Sequence, residues 1–226
     1  MSIRTKYHGI CDNISEVIGN TPLVRLNRVP QDEGIKCEIL VKCEFLNPGG
    51  SIKDRIGKKM FEEAEKNGSL KPGTTVMEAT SGNTGIGMAL LAASKGYECL
   101  VCMPEKMSEE KVNVLKGLGA NIIRTRTEAA SSDPDSHIMT CKKKAEEMAP
   151  NSLILDQYNN ENNWKAHLET GQEILDCVDG KLDYVVIGVG TGGTLTGVAK
   201  SVKNSLPDCK IIGADPYGSI LADPTD

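Results

Sequence analysis

An α/β fold built on a mostly parallel sheet is what this sequence predicts, and three observations predict it. From about residue 75 onward, short apolar runs rich in β-branched residues alternate with amphipathic stretches of helix length. Glycine-rich turns, at 80–85 and 190–193, join strands directly to the helices that follow. The chain, at 226 residues, is also long enough to bury a substantial core in one large or two small α/β domains.

Each element can be justified in order. Asn47-Pro-Gly-Gly-Ser-Ile-Lys-Asp-Arg55 is a tight glycine turn that delivers Lys53 to the start of a helix. Thr75-Val-Met-Glu-Ala79 reads as a strand leading through a turn into a small-residue helix containing Met88, Leu91 and Ala92. Residues 97–103 form the next strand, and Ser108 caps a helix whose first turn carries Glu109 and Glu110, favourable for its dipole. That helix stops near residues 117–119. Asn121-Ile-Ile-Arg-Thr125 is a short strand, followed by a polar loop over 129–136 and a helix to about Met148. Ser152-Leu-Ile-Leu-Asp156 is another strand, and a long helix then ends near Cys177. The last βαβ unit has a buried strand, Asp183-Tyr-Val-Val-Ile-Gly-Val189, a loop over 190–193, a helix over 194–203 and a closing strand, Lys210-Ile-Ile-Gly-Ala214. No helix follows that strand before Asp226, so a fold cut short at its C-terminal side is expected.

Composition excludes several classes of function. A net charge of −5 without a concentrated Lys/Arg footprint predicts no nucleic acid and no membrane partner. The first residues offer no secretory signal, and no segment approaches the ~18 apolar residues of a membrane span, so the cytosol is the expected location. Eight irregularly spaced cysteines predict thiols rather than a disulfide framework. Cys99 and Cys102 have Cys-x-x-Cys spacing but lie in a strand, where residues three apart point to opposite faces, so both are expected in the core. His8, His137 and His167 have no partner at ligand spacing; surface or supporting roles are expected, and no metal site.

Three motifs carry chemistry. An ammonium at Lys53, partly desolvated near the positive end of a helix, is pushed toward the neutral amine that forms a Schiff base with an aldehyde. Thr80-Ser-Gly-Asn-Thr-Gly85 gathers hydroxyls, an amide and free backbone N–H groups at a helix start, a cradle suited to a carboxylate. Gly190-Thr-Gly-Gly-Thr194 is a second glycine loop at a helix N-terminus, able to hold a phosphate through backbone amides. With Gly188 and the downstream Asp215 it also fits a dinucleotide fingerprint, a rival that leaves Lys53 and the first cradle unexplained. A cofactor with one phosphate and one aldehyde accounts for all three motifs, and pyridoxal 5′-phosphate is that cofactor.

The sequence resembles the pyridoxal-phosphate enzymes of the tryptophan synthase β family from Val17 to Leu221. The resemblance rests on Ile18-Gly-Asn-Thr-Pro-Leu-Val-Arg-Leu26, the segment from Lys42 to Arg55, residues 80–85, Met103-Pro-Glu-Lys-Met-Ser108, residues 188–194 and the segment from Ile212 to Leu221. Cys43-Glu-Phe, Pro104-Glu-Lys106, Leu155-Asp-Gln-Tyr158 and Asp215-Pro-Tyr-Gly-Ser219 are most similar to its cystathionine β-synthase branch, with the cysteine synthase branch the close alternative. The resemblance implies fold type II: two three-layer α/β subdomains with mostly parallel sheets, the smaller over about 77–156 and the larger from about 1–76 and 157–226.

It also implies roles. Lys53 would carry the cofactor and then act as acid/base on the substrate Cα, and Asn83 would bond the cofactor's 3′-oxygen. Thr80, Ser81, Thr84 and Gln157 would bind the substrate carboxylate, with Tyr158 close to the reacting group. Gly190, Thr191, Gly192, Gly193 and Thr194 would hold the phosphate. The implied reaction is β-replacement on serine with homocysteine as acceptor, or on O-acetylserine with sulfide in the alternative branch, in a homodimer. A non-catalytic truncated homologue is the third possibility. One departure from the family pattern stands out: Gly171 follows Thr170 where a Thr-Thr pair is common.

Overall fold

The computed structural model describes residues 10–80, 82–130, 132–219 and 221. His8 and the end of the chain at Asp226 lie outside the described residues. In chain order the elements are β1 (Leu23–Arg25), α1 (Arg28–Asp32), β2 (Leu40–Lys42), α2 (Lys53–Lys66), β3 (Thr75–Ala79), α3 (Asn83–Lys95), β4 (Glu98–Pro104) and α4 (Glu109–Gly117). Then follow β5 (Asn121–Thr125), α5 (His137–Met148), β6 (Ser152–Ile154), α6 (Asn162–Leu175), β7 (Tyr184–Gly188), α7 (Gly193–Ser205) and β8 (Lys210–Ala214). They fall into two compact units, one of residues 1–19 and 44–162, the other of residues 20–43 and 163–226.

The first unit is a parallel sheet in the order β5-β4-β3-β6, with helices on both faces. Pleating sends Met77 and Ala79 of β3 and Leu100 and Cys102 of β4 to one face, where they meet Cys141 of α5. On the other face α3 lies so close that a methyl group at Gly85 would stand 3.3 Å from the Val101 side chain. Because α3 has α2 and α4 against its outer side, it is buried nearly all round and reads as apolar and small, Ile86-Gly-Met-Ala-Leu-Leu-Ala92. It ends at Gly96, which caps it in the left-handed conformation (φ 76°). The amphipathic α2 buries Ile56, Met60, Phe61 and Ala64. A Cβ on Gly57 would come within 3.3 Å of the Gly87 backbone, so α2 and α3 cross at a pair of glycines. This contact places residues 44–76 with the four-stranded sheet, a boundary different from the 77–156 expected from the sequence.

Within the second unit β1 and β2 form an antiparallel pair, and β7 and β8 a parallel pair packed on α7. Val198 and Val202 of α7 and Ile174 of α6 build its core with Val185, Ile187 and Ile211. Helices α6 and α7 also cross at glycines. A Cβ at Gly197 would fall 2.2 Å from the Trp164 carbonyl oxygen, and one at Gly171 would fall 2.5 Å from Ser201 Cβ. Gly171 is therefore required by Ser201, which accounts for the departure from the Thr-Thr pair.

Three expectations are corrected. The strand at 183–189 is not buried: Tyr184 and Val186 are 54% and 64% exposed, because α7 covers one face of this two-stranded sheet and the pleat turns alternate residues outward. Ser108 occupies the N-cap position of α4, but its side chain makes no capping bond and only its carbonyl accepts, from Val112 N–H. The strand at 152–156 stops at Ile154, since Asp156 adopts φ 56° and leaves the extended conformation. Cys99 and Cys102 are both buried on opposite faces of β4, as a core strand requires. All eight cysteines are free, and burial pushes the Cys99 thiol up to about 12.

Candidate functional site

The turn that presents Lys53 is pinned by side chains of its own unit. Asn47 accepts the Gly19 N–H at 2.8 Å and donates to Glu44 at 2.9 Å. Arg55, 4% exposed, forks onto Glu44 at 2.7 and 2.8 Å, a bidentate pair that fixes the chain on both sides of the turn. The Gly49 N–H donates to Asp54, and a Cβ at Gly49 would collide with that carboxylate at 2.4 Å, so a larger residue there would push it out of place. Ser51 Oγ accepts the Lys53 N–H at 3.1 Å and starts α2. Burial lowers the Lys53 ammonium from its ordinary value, toward the nucleophilic amine. The Lys53 carbonyl lies 3.1 Å from where a Gly87 Cβ would stand, so the turn is seated against α3, one turn beyond Asn83.

Asn83 is exposed as the first residue of α3, where backbone N–H groups lack intrahelical acceptors. Thr80 is 3% exposed; its hydroxyl accepts the Gly82 N–H at 3.3 Å and its methyl group packs under Gly85, so it shapes the loop from below. Ser81 lies outside the described residues. Thr84 and Gln157, both buried, meet directly: the Thr84 hydroxyl donates to Gln157 Oε1 at 2.7 Å. Tyr158, next in the chain, is 57% exposed. Desolvation of its phenol and the charges of Glu78 and Asp156 raise its pKa, so it holds its proton. Lys53, Asn83, Thr80, Thr84, Gln157 and Tyr158 thus all belong to the first unit. The sequence reading missed Lys111 of α4, whose Nζ lies 3.5 Å from a Cβ position on Gly82 and so stands beside this loop. Its position two residues into an acidic helix start hid it.

In the second unit the loop at 190–194 runs from β7 into α7. Gly192 is left-handed (φ 81°), and Cβ positions at Gly188, Gly190 and Gly192 point into open space. A Cβ at Gly193 would strike Asn163 Oδ1 at 2.0 Å, so a larger residue there would displace the Asn163 side chain. Asn163 of α6 donates to Thr191 Oγ1 at 2.9 Å, and the buried His167 bridges Thr194 and Thr170, at 3.2 Å to each hydroxyl. His167 therefore has the supporting role expected of it. The loop offers hydroxyls and first-turn N–H groups at the N-terminus of a 13-residue helix, which suits a phosphate. Taken unit by unit, an amine-presenting lysine and a polar helix-start loop in the first and a glycine loop at a helix N-terminus in the second each have the chemistry that pyridoxal phosphate and an amino acid call for. Among the described residues no group of His, Cys, Asp and Glu is arranged to hold a metal ion, and no helix is long and apolar enough to cross a membrane.

These features define the class, and residues 14–223 match the family described as pyridoxal-phosphate dependent enzyme. The chain belongs to this family, and the dinucleotide reading of residues 188–215 falls with that membership. Among its relatives, the cystathionine β-synthase of Rattus norvegicus is 55% identical over the whole chain and that of Dictyostelium discoideum 56% over 95% of it. The chain spans 40% and 43% of the length of those two proteins. The crystal structure of cysteine synthase from Entamoeba histolytica superposes with a TM-score of 0.88 at 39% identity, covering 98% of this chain and 65% of that one. The fold-type-II architecture expected from the sequence is the one such neighbours share.

Proposed function

We propose that the protein carries out pyridoxal-phosphate-dependent β-replacement, taking L-serine and adding homocysteine to give cystathionine. The observation that carries this reading is the 55–56% identity to cystathionine β-synthases along nearly all of the chain. Bound pyridoxal phosphate would supply the electron sink that stabilises negative charge at the amino-acid Cα. Lys53 Nζ, made more nucleophilic by burial, would hold the aldehyde carbon and later move the proton at Cα. Asn83 would donate to the 3′-oxygen. Thr80, Ser81, Thr84 and Gln157 would bind the substrate carboxylate, with Lys111 adding positive charge. Tyr158 would stand close to the reacting group with its proton in place. Gly190, Thr191, Gly192, Gly193 and Thr194 would hold the phosphate, with Asn163 and His167 orienting the two threonine hydroxyls. A cytosolic homodimer is the setting this reading expects.

The likeness to cysteine synthase favours a second reading, in which O-acetylserine and sulfide are the substrates. One experiment tests both. The visible spectrum of the protein supplied with pyridoxal phosphate is compared between the natural chain and Lys53→Ala, and product formation is then followed from serine plus homocysteine and from O-acetylserine plus sulfide. A lysine-dependent band with cystathionine formed from the first pair is the expected result. Turnover of the second pair alone moves the assignment to the other branch, and absence of the band marks the chain as a non-catalytic module.

A further inference from the structure

The end of β3 carries a charge that the reading above leaves unused. Glu78 is the one ionisable residue of β3, is 1% exposed, and points away from the face that holds Met77 and Ala79. Strand β6 pairs with β3 as far as Met77 and Ile154, and the Leu155 N–H still reaches the Met77 carbonyl at 3.3 Å. There the ladder ends, and the Glu78 carboxylate takes its place. Its Oε2 accepts the Asp156 N–H at 2.9 Å and its Oε1 the Gln157 N–H at 3.2 Å. The Gln157 side chain bonds the same carboxylate while its Oε1 accepts the Thr84 hydroxyl. An ionised carboxylate accepts more strongly from so many N–H donors at once, because a protonated one loses its charge and a lone pair and carries a hydrogen that needs an acceptor of its own.

We propose that Glu78 is the positioning residue of the amino-acid carboxylate subsite: its carboxylate holds the turn after β6 so that Gln157 is kept against Thr84. The proposal rests on the subsite assignment made under the proposed function. Asp156 from that turn, Tyr158 beyond it, Cys99 of β4 and Cys141 of α5 are the titratable groups whose fields couple to Glu78, and none of them is a cation. Burial pushes the Glu78 carboxyl up to about 7, Asp156 adds to the rise, and the Gln157 and Asp156 amides oppose it. The turn therefore tightens as the group ionises across neutral pH.

The test uses the complete protein loaded with pyridoxal phosphate, natural and Glu78→Gln. Serine and 2-aminoethanol, which keeps the amine and hydroxyl but lacks the carboxylate, are titrated by visible absorption. Serine should bind about tenfold more weakly to the variant, the size of one lost hydrogen bond to a charged group. Cofactor retention and 2-aminoethanol binding should not change. Equal weakening of both ligands, or unchanged serine affinity, overturns the proposal. Should the variant not fold, the natural protein decides: its Asp156 and Gln157 amide proton resonances must shift together through one titration near neutral pH, and amides that do not titrate overturn it. If the natural protein forms its lysine-dependent band but does not respond to serine, β-replacement fails while the amide titration still judges Glu78.

Discussion

Replacing Gly171 by Ala would test whether the crossing of α6 and α7 is set by glycine, and the structure gives the size of the effect. The new Cβ would stand 2.5 Å from Ser201 Cβ, 2.9 Å from its Oγ and 3.2 Å from the Val198 carbonyl oxygen. Carbon atoms rest at about 3.5–4.0 Å, so the overlap is about 1 Å and the helices must part. Overpacking of this kind costs about 1–3 kcal/mol, while the better helix propensity of Ala returns about 1 kcal/mol. A net loss of about 1 kcal/mol is expected. Ser201→Gly removes the two nearest atoms and leaves the Val198 oxygen, so the double variant should relieve most of the clash and show a coupling energy of about 1–3 kcal/mol. Urea unfolding followed by Trp fluorescence measures it, because Trp164, the one tryptophan of the chain, lies on α6 with Lys200 of α7 at 4.7 Å from its ring. Coupling below about 0.5 kcal/mol, the ordinary scatter for independent sites, would refute the argument.

Two further outcomes are expected. Glu78 and Asp54 are buried carboxyls raised to about 7 and about 6 from 4.5 and 3.8, mainly by desolvation, so the folded state binds their protons more tightly than the unfolded state. Their contribution to stability is full below pH about 4 and is lost as pH rises toward 7. The stability difference between the natural chain and Glu78→Gln should fall by about 3 kcal/mol between pH 4.5 and 7, and a difference that stays constant in urea titrations across that range would refute the shift. Asn163→Ala removes the donor to Thr191 and leaves a void beside Gly193. Cofactor affinity, measured by dialysis and absorbance, should drop about tenfold with unfolding unchanged to within about 1 kcal/mol; retained affinity would show that the threonine needs no orienting partner.

What the sequence made legible follows from periodicity. The central strands β3 and β4 and the helix between them announce themselves because burial on both faces favours apolar runs, as in Cys99-Leu-Val-Cys-Met103. The antiparallel pair β1 and β2 did not, being three residues each, β1 mostly exposed and β2 half-buried, with Arg25 of β1 paired to Glu38 in solvent. Tyr184 and Val186 misled, since an apolar run reads as buried whether or not both faces find cover. Lys53 and the two glycine loops were readable because turn chemistry is local. Glu78 was not, although a carboxylate within Thr75-Val-Met-Glu-Ala79 is itself the signal: a charge rarely enters an apolar strand without partners. Those partners, Asp156 and Gln157, are distant in sequence.

The way β6 ends also bears on how such an enzyme can change. The turn after it is written by two side chains, the Glu78 carboxylate and the Asp156 carboxylate that accepts the Tyr158 and Asn159 N–H groups at 3.1 and 3.2 Å. The loop at 190–194 is written largely by main chain: Gly190 has open space where a Cβ would stand, Gly192 is left-handed, and a Cβ at Gly193 would meet the Asn163 side chain. A side-chain substitution can therefore redraw the first more readily than the second, whose path rests on Gly192 and Gly193. On the proposed function, substrate preference would then be open to single substitutions near Gln157 and Tyr158 while the main chain of the glycine loop keeps its form.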